Sequence, residues 1–189
     1  SEVHPVVAPM AQLVKTWAKR RDINDPFKGS LSSYAYVLLV LYFLQTKNII
    51  PNLQHFPGVE PEEKIVDSKH NVWFYDWIAA GKTQKEMLAD CVKAPSLLEL
   101  VYDFFFFYAY EFNYFCNLVS SKVPYDLEKP RRKWDYYSED NEESGRRKFV
   151  AQTRRTWMAI EDPFELERIL GCSAKGYKSI FHFSTNPGD

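Results

Sequence analysis

Two pairs of residues near the start of the sequence have types and spacings that suit the binding of an anion. Lys15 and Lys19 are four residues apart, so on a helix both ammonium groups share one face and could hold a single polyanion. Ser33 and Tyr34 open a long apolar run, where a hydroxyl and helix-start amides favour an anion and an aromatic ring offers a stacking surface. The simpler alternatives, a solvated lysine face and a serine cap followed by a core tyrosine, stay open.

A third pair, Asp162 and Glu165, lies in the stretch IEDPFELERILG. Pro163 stands at the first helical position and Glu165 stands three residues after Asp162, so the pair also matches a capping box. Ligand binding and helix capping are therefore both possible for these carboxylates.

Helices must position these residues. PVVAPMAQLVKTWAKRR has apolar residues at helical spacing, and a second helix follows, capped by Ser30 or Ser32 and ended by Asn48 and Pro51. TQKE and SLLE both match the capping box and predict two more helix starts. The second of these, SLLELVYDFFFFYAYEFNYF, is apolar nearly all round, which predicts burial on most sides. Residues 72–75 predict a short strand.

Composition limits the fold and the partners. The 189 residues fit one domain, 1–189, and 46% hydrophobic content supports a substantial core. We predict a mainly α-helical fold with one or two short strands. A net charge of −1 argues against capture of nucleic acid by the charge of the whole domain, so any anion site must be local.

Cysteine and hydropathy patterns bear on the compartment. Cys91, Cys116 and Cys172 are odd in number and widely spaced, which predicts free thiols and a cytoplasmic protein. The sequence has no Cys-x-x-Cys or His-x-x-x-His pattern for a structural metal and no secretory signal at its start. The apolar run 35–44 is shorter than the roughly 20 residues that cross a bilayer, so no membrane partner is expected.

Three segments in order, LVKTWAKRRDINDPFKGSLSSYAYVLLVLYFLQ, LLELVYDFFFFYAYEF and IEDPFELERILG, resemble the central, PAP-associated domain of terminal uridylyltransferases and non-canonical poly(A) polymerases. The resemblance implies a helical PAP/OAS-like domain of an enzyme that adds nucleotides to RNA 3′ ends, with UTP as substrate. It also implies Mg²⁺ or Mn²⁺ held by a catalytic nucleotidyltransferase domain in the same protein or a second chain. The family's Gly-Ser turn with its aspartates has no match here, so we expect no catalytic or metal-binding residue in this chain.

The resemblance also assigns roles to the polar pairs. Lys15 and Lys19 match the residues that reach the triphosphate. Ser33 and Tyr34 match those that hold a phosphate and stack under the base.

By the same resemblance, Asp162 and Glu165 match the acidic pair at the base edge, where a carboxylate accepts the uracil N3 proton. Arg168 replaces a histidine that commonly donates toward uracil O4 in the uridylyltransferases, and arginine is also a donor. These matches favour UTP over ATP.

The segment 129–155 carries nine cations and five acids and is predicted to be a basic insertion. Arg131, Arg132 and Lys133 could bind RNA phosphates, with nearby aromatic residues for stacking, and a solvated loop is the alternative. For the whole chain, an ATP-using poly(A) polymerase and a catalytically inactive RNA-binding or interaction lobe stay open as alternative functions.

Overall fold

The computed structural model describes residues 3–62, 64–67, 70–114, 117–121, 158–165 and 170. In this part of the chain the fold is mainly helical, as predicted, with a few strands of two residues each. The helices are α1 (Val7–Arg20), α2 (Ser33–Thr46), α3 (Gln84–Met87) and α4 (Leu97–Phe106), the last continuing as a π-helical turn (Phe107–Glu111). The strands are β1 (Ile65–Val66), β2 (His70–Asn71), β3 (Leu118–Val119) and β4 (Ala159–Ile160).

Helix α2 is the centre of the core. Its side chains are apolar on nearly every side, and most of them are buried. The Ser32 hydroxyl accepts from the Ala35 amide at 3.1 Å, so Ser32, one of the two predicted caps, begins the helix. Asn48, in the left-handed region at φ 52°, follows its end, and the Ile49 amide returns to the Leu44 carbonyl at 2.8 Å. The predicted start and end of this helix are thus confirmed.

Helix α1 packs against α2 through small and aliphatic side chains. Met10, Val14 and Ala18 are buried on the same side of α1. Trp17, farther along, meets the ring of Phe105 on α4 edge-on, with centroids 4.6 Å apart. The end of α1 is therefore held between two other helices.

An aromatic seam joins α4 to α2. Phe43 packs edge-on against Phe104 with centroids 5.7 Å apart, and the buried Tyr108 hydroxyl donates to the Leu39 carbonyl at 2.8 Å. The π-helical turn is closed by the Phe112 amide bonding to the carbonyl of Phe107 at 2.8 Å. Burial raises the pKa of the Tyr108 hydroxyl, which keeps it a neutral donor.

Both predicted capping boxes are present. The Thr83 and Ser96 hydroxyls accept from the amides of Glu86 and Glu99, each at 3.3 Å. The cap amides donate to the glutamate carboxylates at 2.7 and 2.9 Å, and the cap hydroxyls donate to the same carboxylates at 2.8 and 2.6 Å. These bonds lower the pKa of both carboxyl groups, mainly through the Thr83 amide for Glu86 and through the Ser96 hydroxyl for Glu99. Four-residue patterns therefore sufficed to predict where α3 and α4 begin.

Burial of α4 on most sides was predicted, and this was wrong. One stripe along α4 and the π-helical turn is exposed, formed by Leu98, Tyr102, Phe106 and Tyr110. Tyr102 stacks on Phe106, and Phe106 contacts Tyr110, with centroids 6.2 and 5.0 Å apart. Rings spaced four residues apart cover one another on the helix surface, so an aromatic residue here does not need the core.

The strand predicted at 72–75 is absent; strands form instead at β1 and β2, which pair antiparallel with Val66 opposite His70. The Asn71 side chain ends the ladder because its oxygen accepts from the amides of Lys64 and Trp73, at 3.1 and 3.0 Å. The aromatic residues that follow pack elsewhere: Tyr75 stacks on Phe56 with centroids 4.6 Å apart.

Strands β3 and β4 pair in parallel, with Leu118 opposite Ala159, and both lie against α2. Cys91 is a free, half-buried thiol, as predicted; Cys116 and Cys172 lie outside the described residues. None of the described helices is long and apolar enough to span a bilayer.

Truncation of a buried and of an exposed side chain of α4 should change the free energy of unfolding by very different amounts. Phe104→Ala should lower the free energy of unfolding by about 3–5 kcal/mol because it empties a site in the core. Tyr102→Ala, on the exposed stripe, should change it by less than about 0.5 kcal/mol. Urea unfolding followed by circular dichroism measures both, and equal losses would show that the stripe is buried after all.

Candidate functional site

Lys15 and Lys19 lie in the second half of α1, one half-buried and the other exposed. Within the described part of the chain, neither ammonium group forms an ion pair with a carboxylate. Lys19 lies in the last turn of α1, where a cation also stabilises the helix dipole, and Lys15 lies one turn earlier. The pair is nevertheless available for an anionic ligand.

The end of α1 lies beside the start of α2. The Ile23 amide donates to the Ala18 carbonyl at 3.1 Å, and the Ile23 carbonyl accepts from the Tyr36 hydroxyl at 2.8 Å. Tyr36 is 1% exposed, and burial raises the pKa of its phenol well above the ordinary value. This buried tether places the lysine end of α1 and the first turn of α2 on the same side of the helix pair.

The two serines at the start of α2 form different hydrogen bonds. Ser32 caps the helix, which leaves the Ser33 hydroxyl to donate to the Asn24 side-chain oxygen at 2.9 Å. Tyr34 points outward and is 39% exposed, whereas Tyr36 is buried. Ser32 is therefore the cap, and Tyr34 is not the core tyrosine of the simpler alternative. The binding of a phosphate by Ser33 and of a base by Tyr34 remains a prediction.

The loop after β4 carries the acidic pair. The Asp162 carboxylate, 5% exposed, accepts from the amides of Phe164 at 2.9 Å and Glu165 at 3.3 Å. The bond from the Glu165 amide is one of the two bonds of the predicted capping box. Beneath it, Ser120 donates to the buried Glu161 carboxylate at 2.5 Å and ties β3 to β4. The helix predicted to follow lies outside the described residues.

Sequence reasoning overlooked a histidine at this loop. His70, on β2, has Nε2 at 3.8 Å from Glu165 Oε1 and Nδ1 at 3.4 Å from the Phe164 carbonyl oxygen. The contact joins residues that are 94 positions apart, and no local spacing signals it. His70 reaches the acidic pair because it lies on β2, and the sequence did not predict the pairing of β2 with β1.

The described residues do not fit a divalent metal ion. No group of three or more His, Cys, Asp or Glu side chains comes together among them. Of the acids at the candidate site, Asp162 caps the loop amides and Glu165 faces His70. No step is therefore assigned to a metal held by these residues.

Several predicted site residues lie outside the described residues. They are Arg168 at the base edge and the RNA-binding candidates Arg131, Arg132 and Lys133 in the segment 129–155. Their roles remain predictions. Among the others, Asp162 and Glu165 lie on one loop, and the end of α1, which carries Lys15 and Lys19, lies next to the start of α2, which carries Ser33 and Tyr34. That the two groups face one ligand also remains a prediction.

Comparison with known proteins points in one direction. Residues 96–168 match the Cid1 family poly A polymerase model. Terminal uridylyltransferase cid1 of Schizosaccharomyces pombe is 38% identical over 167 residues, which cover 86% of this chain and 38% of that protein. Poly(A) RNA polymerase gld-2 of Caenorhabditis elegans is 34% identical over 60% of this chain and 10% of that protein.

Fold comparison agrees. The structure of Cid1 in complex with the UTP analog UMPNPP matches with a TM-score of 0.69 at 34% identity, over 91% of this chain and 46% of that chain. The resemblance inferred from the sequence is confirmed, and the chain spans less than half the length of these relatives.

Removal of the Ser32 cap is predicted to destabilise the start of α2. Ser32→Ala should lower the free energy of unfolding by about 1 kcal/mol because it removes the cap, and Ser32→Asp should preserve most of it. Thermal unfolding of the three proteins measures the difference. A neutral Ser32→Ala would show that another residue caps this helix.

Proposed function

We propose that this chain, a homologue of the terminal uridylyltransferases and non-canonical poly(A) polymerases, is the central domain of an RNA terminal uridylyltransferase. In this role it binds UTP and the 3′ end of an RNA for template-independent addition of uridine. The observation that carries the proposal is the tethering of the lysine end of α1 to the first turn of α2, with the exposed Tyr34 between protein and solvent.

The triphosphate is proposed to lie against this end of the helix pair. Two ammonium groups without carboxylate partners in the described structure suit the charge of a triphosphate. The positive end of the α2 dipole adds further attraction for a phosphate. The Ser33 hydroxyl, which donates to Asn24 Oδ1 in the structure, is proposed to turn to a phosphate oxygen when the nucleotide binds. The Tyr34 ring stacks on the base, which is independent of base identity.

Base choice is proposed to come from Asp162 and Glu165. An ionised carboxylate only accepts hydrogen bonds, so it pairs with the N3–H of uracil. Adenine presents N1, a bare acceptor, on the corresponding edge, and two acceptors repel. The family includes poly(A) polymerases as well, so ATP is the competing substrate.

The remaining parts of the reaction are proposed to lie outside this chain. Phosphoryl transfer to an RNA hydroxyl requires divalent ions on the phosphates, and a catalytic domain with metal-binding aspartates would supply Mg²⁺ or Mn²⁺. This chain contributes binding and orientation, which lower the barrier by holding the triphosphate and the RNA end at the reacting distance. Arg131, Arg132 and Lys133 are proposed to contact the RNA backbone.

The test of this function is nucleotide competition on the complete protein. An RNA oligonucleotide is incubated with equal concentrations of UTP, ATP, CTP and GTP, and the added nucleotides are identified by sequencing. Uridine should dominate. Predominant adenosine would support the poly(A) polymerase alternative, and no addition with any nucleotide would support the inactive binding lobe.

The lysine pair gives a second test. Lys15→Ala with Lys19→Ala should raise the KM for UTP by about a hundredfold, because each of the two lost charge-assisted contacts to phosphate removes about 1.4 kcal/mol, a factor of about ten. The melting temperature should stay near that of the wild type, since both ammonium groups lie outside the core.

The matched control removes the same charge elsewhere. Lys82→Ala with Lys85→Ala takes two exposed cations from the region of α3. Its KM for UTP should stay unchanged. Equal effects of the two double variants would reduce the result to net charge and overturn the triphosphate assignment.

A further inference from the structure

The hairpin of β1 and β2 delivers one side chain to the loop after β4. His70, which lies opposite Val66 in the ladder, is the hairpin residue whose side chain contacts this loop. Its Nδ1 lies 3.4 Å from the Phe164 carbonyl oxygen, and its Nε2 lies 3.8 Å from Glu165 Oε1. The imidazole side chain is 28% exposed and that of Glu165 is 43% exposed, so the contact lies at the edge of the fold, where a ligand can reach it.

Both ring nitrogens of His70 face atoms that accept hydrogen bonds. A backbone carbonyl oxygen only accepts, and so does an ionised carboxylate. A neutral imidazole donates from one nitrogen and would set a lone pair against one of these oxygens, whereas the imidazolium donates from both. Each nitrogen of His70 therefore lies next to a different acceptor atom of the loop.

Two contacts on one loop restrict the direction of Glu165. Nδ1 lies within hydrogen-bond distance of the carbonyl oxygen one residue before Glu165, and Nε2 lies within ion-pair distance of Oε1 but beyond hydrogen-bond distance. The two oxygens of a carboxylate are rigidly linked, so holding one determines where the other points. Asp162 fixes the same loop from the opposite side through the amides of Phe164 and Glu165.

We propose that His70 is a positioning residue for base selection: from the hairpin, it orients the Glu165 carboxylate toward the base edge. The inference rests on the proposed function, in which Glu165 accepts the N3 proton of uracil. Because both nitrogens of His70 are engaged by the loop, His70 acts through Glu165 and does not contact the base. Without it, the carboxylate turns more freely and discriminates less between the N3–H of uracil and the N1 of adenine.

The experiment measures the ratio of kcat/KM for UTP to that for ATP in the complete protein. His70→Ala should lower this ratio by about threefold to tenfold, mainly through a higher KM for UTP, since orientation of a charge-assisted acceptor is lost. His70→Gln, which keeps a donor of similar reach, should recover part of the ratio. His55→Ala, at an exposed histidine of the 52–59 loop, is the control and should match the wild type.

A double variant separates positioning from a merely structural role. If His70 acts through Glu165, then His70→Ala in a Glu165→Gln background should change the ratio no further. Additive losses, or a His70→Ala ratio equal to that of the wild type, would overturn the inference. Thermal unfolding of each variant is measured alongside, and recovery by His70→Gln keeps the test valid where His70→Ala lowers stability.

The two proposals fail in different ways. A wild-type protein that adds no uridine contradicts the proposed function, and the role of His70 falls with it. A wild-type protein that prefers UTP, with a preference unchanged by His70→Ala, leaves the function intact and removes only His70.

Discussion

The burial of α2 on nearly every side is the constraint on which the rest of the described fold depends. An apolar helix without a polar face must be covered all round, and here α1, α4, β3 and β4 cover it. Two of these covering elements also carry or lead to candidate site residues: the lysines lie on α1, and the acidic loop follows β4. Burial of α2 therefore fixes where these elements end, and the candidate polar residues lie near those ends.

Polar contacts at these ends make the assembly specific. The Tyr36 hydroxyl ties the turn after α1 to α2, and the Tyr108 hydroxyl ties the π-helical turn to the Leu39 carbonyl. A buried phenol without a partner costs free energy, so each of these bonds favours one arrangement of the helices over a sliding apolar contact. Lys47 adds an ion pair to Glu111 at 2.8 Å, which joins the far end of α2 to the same turn.

Local patterns proved sufficient where the physics is local. The capping boxes at Thr83 and Ser96 and the end of α2 near Asn48 are decided within four or five residues, and the sequence predicted all three. The two predictions that were wrong, the burial of α4 on most sides and the strand at 72–75, depend on tertiary contacts. Composition alone could not show that the rings of Tyr102 and Phe106 cover each other at the surface, or that the Asn71 side chain would end a strand before the β-branched and aromatic residues that follow.

The same distinction between local patterns and tertiary contacts applies to the candidate site. The roles of Ser32 and Asp162 as caps follow from their neighbours in sequence, whereas the choice of Ser32 over Ser30 required the contact to Ala35. His70 was among four scattered histidines with no pattern to distinguish it. Its meeting with Glu165 depends on where a two-residue hairpin lies in three dimensions, and single-sequence reasoning has no access to that distance.

The π-helical turn at Phe107–Glu111 bears on how this segment tolerates change in length. A π-helical turn accommodates one residue more than an α-helical turn, and each residue in a helix rotates the chain by about 100°. Loss of one residue within this turn would therefore restore α-helical pairing while leaving the direction of Phe112 nearly unchanged. A further insertion has no such turn left to absorb it and would rotate Phe112 away from the core, so the segment tolerates shortening by one residue better than lengthening.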